Sequence, residues 1–367
     1  MTQWSGQATP EATLAWCATH LPEGARGRAG DLAVSRLGWG TLPGELKNIV
    51  DSKIESALVR VLEGGLNVID SSPAYRHRRS QAALGHALDR QLARGWLRRQ
   101  ELLVTTHAGW LAFDRQEEAP ELLLEREVLP ATGLTREDFV GGVWSLRPAW
   151  LRHQLELSRG LCRLQTLDLL LLDAPETGLK VWTRERWRGE LREAFHCCEQ
   201  LAAEGLIGGY GVASLEGFRA DAQGRSPLDL DELLALARQA AGARDDGGTR
   251  FRALQLPCSL AALDLLNLRT GSGAEFRARA AEAGLWVAGL LSLGQGQLTS
   301  ALPGYFREIM PTLRPAQQAL HVLLSMPGLD TALVGMKTRE HIEENLALLR
   351  APRLSGTDWR RVFSDEA

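Results

Sequence analysis

The chain has 367 residues, and its 42 basic and 45 acidic residues leave a net charge of −3. This balanced charge gives no sign of the basic face that nucleic-acid or membrane-surface partners require. Hydrophobic residues make up 44% of the sequence, enough for a large core, and no apolar run reaches the roughly 20 residues that span a bilayer. The first residues lack the basic and apolar segments of a secretion signal. We therefore expect a globular cytoplasmic protein.

The cysteines indicate neither a disulfide framework nor a metal site. Five scattered cysteines, an odd number, favour reduced thiols in a cytoplasm over disulfides. His196, Cys197 and Cys198 are adjacent, but they lie within a helical pattern where neighbouring side chains project in different directions. We predict no metal site.

Residues 1–30 are predicted to form an N-terminal extension. The segment Thr9–Glu11 is typical of a helix start, since proline is favoured at the first helical position. Leu14, Cys17 and Ala18 would then line one face of that helix. The glycines within residues 24–30 indicate a linker.

From residue 32 onward, apolar runs alternate with helical patterns. The predicted strands are 34–41, 66–70, 102–107, 167–173, 207–214, 253–256, 285–291 and 332–335. The predicted helices are 51–63, 80–93, 148–163, 187–204, 229–241, 274–283, 315–325 and 338–349. Alternation of this kind implies crossover connections and a parallel sheet.

Eight such units imply an α/β fold, a closed (β/α)8 TIM barrel over residues 31–352, followed by a C-terminal tail over residues 353–367. A doubly wound open sheet is the alternative, but no Gly-x-Gly-x-x-Gly turn follows the first strand. Residues 108–147 form a long insertion after the third strand, and such excess length lies on the C-terminal face of a barrel. Trp110 and Trp144 flank this insertion. We expect them to line a substrate cavity, with packing of the insertion onto the barrel as the alternative.

The stretch from Asn67 to Gly85 carries the clearest sign of chemistry. An apolar run ends at Asp70, a Ser-Ser-Pro turn follows, and Tyr75 lies just beyond it. Ser80 is predicted to cap the next helix. A carboxylate and a phenol thus lie where a buried strand passes into a loop, the edge at which parallel α/β proteins bind ligands.

The spacing Asn-x-Ile-Asp-x4-Tyr-x4-Ser-x3-Leu-Gly over this stretch resembles the second strand, loop and helix of the aldo-keto reductases. Further motifs follow in that family's order: Arg-Leu-Gly-x-Gly-Thr at 36–41, the run 164–175, Gly-Val-Ala-Ser at 211–214, Leu-Gly-Gln-Gly-Gln-Leu at 293–298, and the segment 335–345. Each motif is weak alone, but their shared order extends the resemblance over roughly residues 32–350. The resemblance implies hydride transfer between NADP(H), rather than NAD(H), and a small carbonyl or alcohol.

That family uses a catalytic tetrad of Asp, Tyr, Lys and His. Asp70 and Tyr75 are in register with the first two, but His107 stands at the Lys position and Asp173 at the His position. In the family, the tyrosine gives a proton to the nascent alkoxide and the lysine cation makes it acidic enough. If both aspartates approach His107, their charges favour an imidazolium. That imidazolium would replace the lysine electrostatically or donate the proton itself. The alternative is an ordinary core histidine.

The resemblance also implies a cofactor site. The residues in register with the family's cofactor contacts are Thr41, Ala213, Ser214, Gln255, Leu293, Gly296, Lys337, Arg339, Glu344 and Asn345. Gln255 would contact the nicotinamide carboxamide, and the loop with Leu293 and Gly296 would cover the pyrophosphate. Lys337 and Arg339 would bind the 2′-phosphate near a helix N-terminus.

Arg76 and Arg78 lie directly beside Tyr75. They form either a solvated loop or a site that neutralises a carboxylate or phosphate of the substrate. Positive charge just before Ser80 is unfavourable at a helix N-terminus, which favours the second interpretation. An anionic substrate is therefore one expectation.

Two other functions fit the altered tetrad. His107 and Asp173 could form the acid–base pair of a lyase or isomerase. The barrel could also bind a nucleotide or a protein partner with little turnover, because a fold does not dictate an activity. The leading hypothesis is an oxidoreductase whose partner is a small molecule, with no nucleic acid or membrane involved.

Overall fold

The computed structural model describes residues 3–42, 44–112, 119–219, 226–242, 248–263, 268–300 and 302–363. The strands are β1 (Arg26–Ala29), β2 (Leu32–Ser35), β3 (Leu37–Gly40), β4 (Val68–Asp70), β5 (Leu103–Ala108), β6 (Leu167–Asp173), β7 (Ile207–Ala213), β8 (Phe251–Pro257), β9 (Trp286–Leu290) and β10 (Thr331–Val334). The helices are α1 (Pro10–His20), α2 (Asn48–Glu63), α3 (Arg79–Ala93), α4 (Pro120–Leu123), α5 (Leu129–Thr132), α6 (Pro148–Cys162), α7 (Arg184–Ala203), α8 (Leu230–Ala241), α9 (Phe276–Glu282), α10 (Gly304–Ile309), α11 (Pro315–Ser325), α12 (Arg339–Leu348) and α13 (Gly356–Phe363).

Strands β3 to β10 close into a barrel in the order β10-β3-β4-β5-β6-β7-β8-β9, and all neighbouring pairs are parallel. The prediction of a (β/α)8 barrel is confirmed. The registers place Asp70 opposite Thr105, and Asp173 opposite Ala213. Because parallel strands end at one edge of the barrel, the ends of β4 to β7 lie side by side.

The strands are apolar because both of their faces are covered. In β6 every residue is buried except Asp173, which ends the strand. Side chains from several strands fill the barrel interior, among them Val68, Leu103 and Trp286. Alternate residues of the same strands face the ring of helices, where a second, larger core lies.

The N-terminal segment is more ordered than the sequence indicates. The linker predicted over residues 24–30 is wrong: strand β1 pairs antiparallel with β2, and Gly30 lies in the turn between them with φ of +63°. Val34 of this hairpin packs against the side chains that fill the barrel interior. The single strand predicted over 34–41 is split at Arg36, whose guanidinium donates to the backbone carbonyls of Leu324, near the end of α11, and Met326. The hairpin therefore covers the amino-terminal end of the barrel.

Helix α1 packs on a face that overlaps the predicted one only at Cys17. Thr9 caps it and Pro10 is its first residue, as the sequence indicates. Leu14, expected to pack, is 57% exposed, whereas Trp16 and Cys17 are buried. The Trp16 indole donates to the carbonyl of Gly65 at 3.0 Å, and this hydrogen bond joins the helix to the turn that precedes β4.

The described part of the 108–147 insertion has a small core of its own. Leu111, Leu123, Leu124, Val128 and Phe139 pack together with a tryptophan of α6. Residues 113–118 lie outside the described part of the chain. Within the predicted tail, helix α13 packs a valine against α10 and α11.

All five cysteines are buried free thiols, and burial raises the pKa of Cys162 to about 12. His196 faces solvent while Cys197 and Cys198 are buried, so these three side chains do not converge. No helix in the described part of the chain combines the length and the apolar character needed to cross a membrane. A cytoplasmic location stays a prediction from the sequence.

A buried carboxylate near the amino-terminal end of β6 holds three segments together. Asp168 accepts from Arg99 at 2.7 Å, from the Val104 amide at 2.6 Å and from the Ala8 amide at 2.6 Å. We predict that Asp168→Ala lowers the free energy of unfolding by about 3–5 kcal/mol, because it leaves a buried guanidinium without its partner. Urea unfolding followed by circular dichroism measures this loss.

The control for Asp168 is Glu204→Ala, which removes an exposed ion pair with Arg152. That variant is expected to cost less than about 1 kcal/mol. Equal losses for the two variants would contradict a special role of the buried carboxylate.

Candidate active site

Four side chains that are distant in sequence meet at the carboxyl-terminal end of the barrel. Asp70 ends β4, His107 lies near the end of β5, and Asp173 ends β6. Tyr75 reaches in from the loop after β4. The His107 ring lies between Asp70 and Asp173, with Nε2 at 2.9 Å from Asp70 Oδ1 and Nδ1 at 2.7 Å from Asp173 Oδ1. The Tyr75 and His107 ring centroids are 5.6 Å apart.

Asp70 is the centre of this arrangement. Its Oδ1 accepts hydrogen bonds from Thr105 at 2.7 Å, from Gln255 at 2.9 Å and from His107, and its Oδ2 accepts the Tyr75 hydroxyl at 3.2 Å. Burial opposes ionisation of Asp70. The charge of His107 and these hydrogen bonds nevertheless hold the pKa of Asp70 below its usual value. Asp70 is therefore an ionised acceptor.

His107 is a buried cation. Its side chain is 2% exposed, and each ring nitrogen faces a carboxylate oxygen. Burial alone would lower the pKa of His107, but the charges of Asp173 and Asp70 and the hydrogen bonds to both raise it to about 10. Both ring nitrogens therefore donate at neutral pH. The three side chains form a carboxylate–imidazolium–carboxylate unit with a net charge of −1.

Tyr75 is a donor to Asp70 and a weak acid. Because an ionised carboxylate only accepts, the phenol must supply the proton of their hydrogen bond. Burial and the negative charges of Asp70 and Asp173 raise the pKa of Tyr75 well above its usual value. In this arrangement the phenol stays protonated over the whole physiological range.

A cavity of about 1120 Å³ opens in front of these side chains. Its walls come from the ends of β3 to β7, of β9 and of β10, and from loops at the same end of the barrel, and they are largely apolar. Asp70, Tyr75, His107 and Asp173 all line it. A volume of this size holds a ligand much larger than a simple aldehyde or alcohol.

Comparison with known proteins agrees with this geometry. The model of the aldo/keto reductase family matches residues 36–220, just over half of the chain. The chain belongs to the aldo/keto reductase family. No curated protein matches its sequence.

Solved structures of aldo-keto reductases share the fold. The holo form of an enzyme from Bacillus halodurans is 19% identical over 92% of this chain and 94% of its own, with a TM-score of 0.63. The glycerol dehydrogenase from Gluconobacter oxydans is 16% identical over 93% of this chain and 94% of its own, with a TM-score of 0.65. A Klebsiella pneumoniae enzyme solved in complex with NADPH is 18% identical over 92% and 93%, with a TM-score of 0.62.

The predicted cofactor residues fall into two groups in this aldo/keto reductase barrel. Ala213, Ser214, Leu293 and Gly296 line the cavity. Gln255 does not line it, because its amide donates to Asp70 at the closed end.

Four other residues predicted to contact the cofactor are not among the residues that line the cavity. Thr41 is buried and donates to Ser71 at 2.8 Å. Asn345 is buried in α12, and Glu344 pairs with Arg314. Arg339 is exposed and pairs with Glu343 at 2.5 Å.

The segment between Tyr75 and α3 turns away from the cavity, against the prediction that its arginines face a substrate. Arg76 is buried, donates to the Glu45 carbonyl at 2.9 Å and pairs with Asp51 at 2.6 Å. Arg78 pairs with Glu127 of the insertion at 2.9 Å. Three consecutive residues of this segment have positive φ, of 50°, 50° and 68°, so the segment is a left-handed turn.

The two tryptophans of the insertion also differ from each other. Trp110 lines the cavity, as predicted. Trp144 is fully buried and donates its indole N–H to the backbone carbonyl of Asp173 at 2.8 Å. Trp144 therefore supports the end of β6 and does not form a cavity wall.

Three site residues were missed from the sequence. Thr105 lies two residues before His107 and therefore faces the same side of β5. The two-residue period of a strand could have identified it from the sequence. Glu176 lines the cavity and accepts from Ser214 at 2.6 Å. Its position three residues after Asp173, in the turn that follows β6, was a weaker signal. His341 lines the cavity near the start of α12, where the sequence resemblance drew attention to other positions.

Proposed function

We propose that this aldo/keto reductase is an NADP(H)-dependent oxidoreductase that moves hydride between the nicotinamide and a small carbonyl or alcohol substrate. One observation carries this proposal: a phenol, a cation and a carboxylate are joined by hydrogen bonds at the inner end of a large cavity. This set of groups can manage the proton that accompanies hydride transfer. The similar Klebsiella structure that was solved with NADPH supports the choice of cofactor.

The described residues fit a nicotinamide cofactor. Glu176 Oε2, on a residue that lines the cavity, is a buried oxygen without a hydrogen-bond partner among the described residues. A nicotinamide carboxamide has two N–H donors, the kind of partner that such an oxygen requires. When bound, NADP(H) supplies or takes the hydride. Ala213, Ser214, Leu293 and Gly296, which line the cavity, would hold its nicotinamide and pyrophosphate portions.

His107 supplies the positive charge that the family's lysine supplies. With its pKa at about 10, the imidazolium is permanent at neutral pH, and it lies beside both Asp70 and Tyr75. Asp70 orients His107 and Tyr75 through its two oxygens. Asp173 fixes the imidazole plane from the opposite side and faces the cavity.

The adenosine phosphate would lie beyond the end of β10. Lys337 immediately precedes Thr338, which caps α12 by accepting from the His341 amide. Burial and the charges of Arg76 and Lys53 lower the pKa of Lys337. A phosphate dianion here would offset the mutual repulsion of these cations and would also meet the positive end of a helix.

We predict that Lys337→Ala raises the Kd of NADPH about tenfold and leaves the Kd of NADH within about twofold, since only NADPH carries the 2′-phosphate. Quenching of the 11 tryptophans during titration measures both constants. The absorbance of the reduced cofactor, followed with panels of aldehydes and alcohols, then measures turnover.

The matched control is Arg350→Ala, an exposed cation just beyond the far end of α12. It is expected to change neither Kd by more than about twofold. If the unmodified chain binds neither cofactor, the proposed function is wrong. Binding without turnover would instead favour a nucleotide-binding barrel.

The substrate is proposed to be a small molecule without a required negative charge. The expectation of an anionic substrate depended on Arg76 and Arg78, and both pair with carboxylates outside the cavity. Among the described residues, the carboxyl groups that line the cavity are those of Asp70, Asp173, Glu176 and Glu216, and Lys180 is the one lysine. A substrate carboxylate or phosphate would therefore meet mainly negative charge.

A further inference from the structure

Every hydrogen-bond donor of the tetrad is already used inside the tetrad. Both ring nitrogens of His107 donate to carboxylates, and the Tyr75 hydroxyl donates to Asp70. The groups of the tetrad that remain for a ligand are acceptors: the lone pairs of the Tyr75 oxygen and the carboxylate of Asp173, whose side chain is 19% exposed and lines the cavity.

This pattern of donors and acceptors suits an alcohol substrate better than a carbonyl substrate. A carbonyl oxygen only accepts hydrogen bonds, so it finds no donor in this arrangement. An alcohol hydroxyl donates, and it can do so to the Tyr75 oxygen without disturbing the hydrogen bond from Tyr75 to Asp70. Binding an alcohol therefore leaves the site as it is, while binding a carbonyl requires the Tyr75 hydroxyl to leave Asp70.

The charge of the site favours the same direction of the reaction, because that direction uses the oxidised cofactor. Asp70, His107 and Asp173 together carry −1, and they are buried or nearly so. The oxidised nicotinamide ring carries a positive charge and the reduced ring is neutral. Because Coulomb interactions strengthen where water is excluded, a negative site at the cavity's inner end stabilises the oxidised ring.

We propose that this site is built for alcohol oxidation, binding NADP+ together with a hydroxyl-bearing substrate whose proton passes to Tyr75. This inference rests on the proposed function. The carbinol C–H bond breaks and its hydride goes to the oxidised nicotinamide. The hydroxyl proton moves to the Tyr75 oxygen, the Tyr75 proton moves to Asp70 Oδ2, and the C–O bond becomes a carbonyl. The overall equilibrium is fixed by the reactants, so what the site sets is the relative affinity for the two cofactor forms.

The test compares the Kd of NADP+ with the Kd of NADPH by tryptophan quenching. The unmodified chain is expected to bind NADP+ at least fivefold more tightly than NADPH. Asp173→Asn removes one negative charge and is expected to shift this ratio toward NADPH by at least fivefold. The control is Glu282→Gln, an exposed carboxylate outside the cavity lining, which solvent screens and which is expected to shift the ratio by less than twofold.

A second measurement needs no variant. 2,2,2-Trifluoroethanol, a hydroxyl donor that resists oxidation, is expected to tighten NADP+ binding at least threefold, while isobutyramide, a carbonyl acceptor, leaves NADPH binding unchanged. Tighter binding of NADPH in the unmodified chain, or tightening by isobutyramide instead, overturns the inference and leaves the proposed function standing. Failure of both cofactor forms to bind overturns the proposed function itself.

Discussion

Replacing His107 by glutamine is expected to lower the free energy of unfolding at pH 7 by about 3–5 kcal/mol, because it removes the cation between two buried carboxylates. The glutamine amide can donate to Asp70 or to Asp173, but its own oxygen then faces the other. Breaking a buried ion network leaves charge that neither water nor a partner compensates. Urea unfolding of both proteins measures the difference.

Two further variants separate charge from shape. His107→Lys keeps a cation at this position and is expected to recover at least half of the loss. His86→Gln, which changes an exposed histidine beside Glu55, is expected to cost less than about 0.5 kcal/mol. If His107→Gln lowers the free energy of unfolding no more than His86→Gln does, the imidazolium does not stabilise the site.

The same network predicts how stability depends on pH. The folded pKa of His107, about 10, lies above its ordinary value of 6.5. Its contribution is therefore complete below pH 6.5, declines as pH rises, and is lost once pH passes about 10. The folded pKa of Asp70 is lowered, so its contribution is present above its ordinary value of 3.8 and is lost as pH falls through the folded pKa. The gap between the native protein and His107→Gln should accordingly close toward pH 10.

The sequence was sufficient to predict the barrel. It also predicted that Asp70, Tyr75, His107 and Asp173 converge at one end of that barrel. The apolar runs that end at Asp70, His107 and Asp173 are consecutive parallel strands, and consecutive strands of a closed parallel barrel end side by side. Once the alternation of strands and helices is established, these residues have to converge. The hydrogen bonds from His107 to both aspartates follow from that geometry.

The direction of the Arg76–Arg78 turn could not be read from the sequence. Left-handed backbone is rare for residues other than glycine, and three such residues in succession contradict local preference. The turn is stabilised by two ion pairs, from Arg76 to Asp51 of α2 and from Arg78 to Glu127 of the insertion. Local propensity contains no information about such distant partners.

Tyr75→Phe is expected to lower kcat for the proposed alcohol oxidation by about 10²–10⁴-fold, because the phenol is the group that relays the substrate proton to Asp70. Phenylalanine fills the same space, so the Kd values of NADP+ and NADPH should stay within about twofold. Cofactor absorbance assays and tryptophan quenching measure the two effects separately. Tyr305→Phe, a tyrosine outside the cavity lining, is the control and should retain the native rate.

The dependence of kcat on pH is a second test of the role of Tyr75. Burial and the charges of Asp70 and Asp173 hold the pKa of Tyr75 well above 10, so the phenol does not ionise in the working range. Asp70, ionised down to acid pH, remains ready to accept the relayed proton. The native kcat should therefore be flat from about pH 5 to pH 9 and fall only as His107 loses its charge near pH 10. If Tyr75→Phe keeps more than about a tenth of the native rate, the proton leaves through Asp173, the other acceptor that faces the cavity.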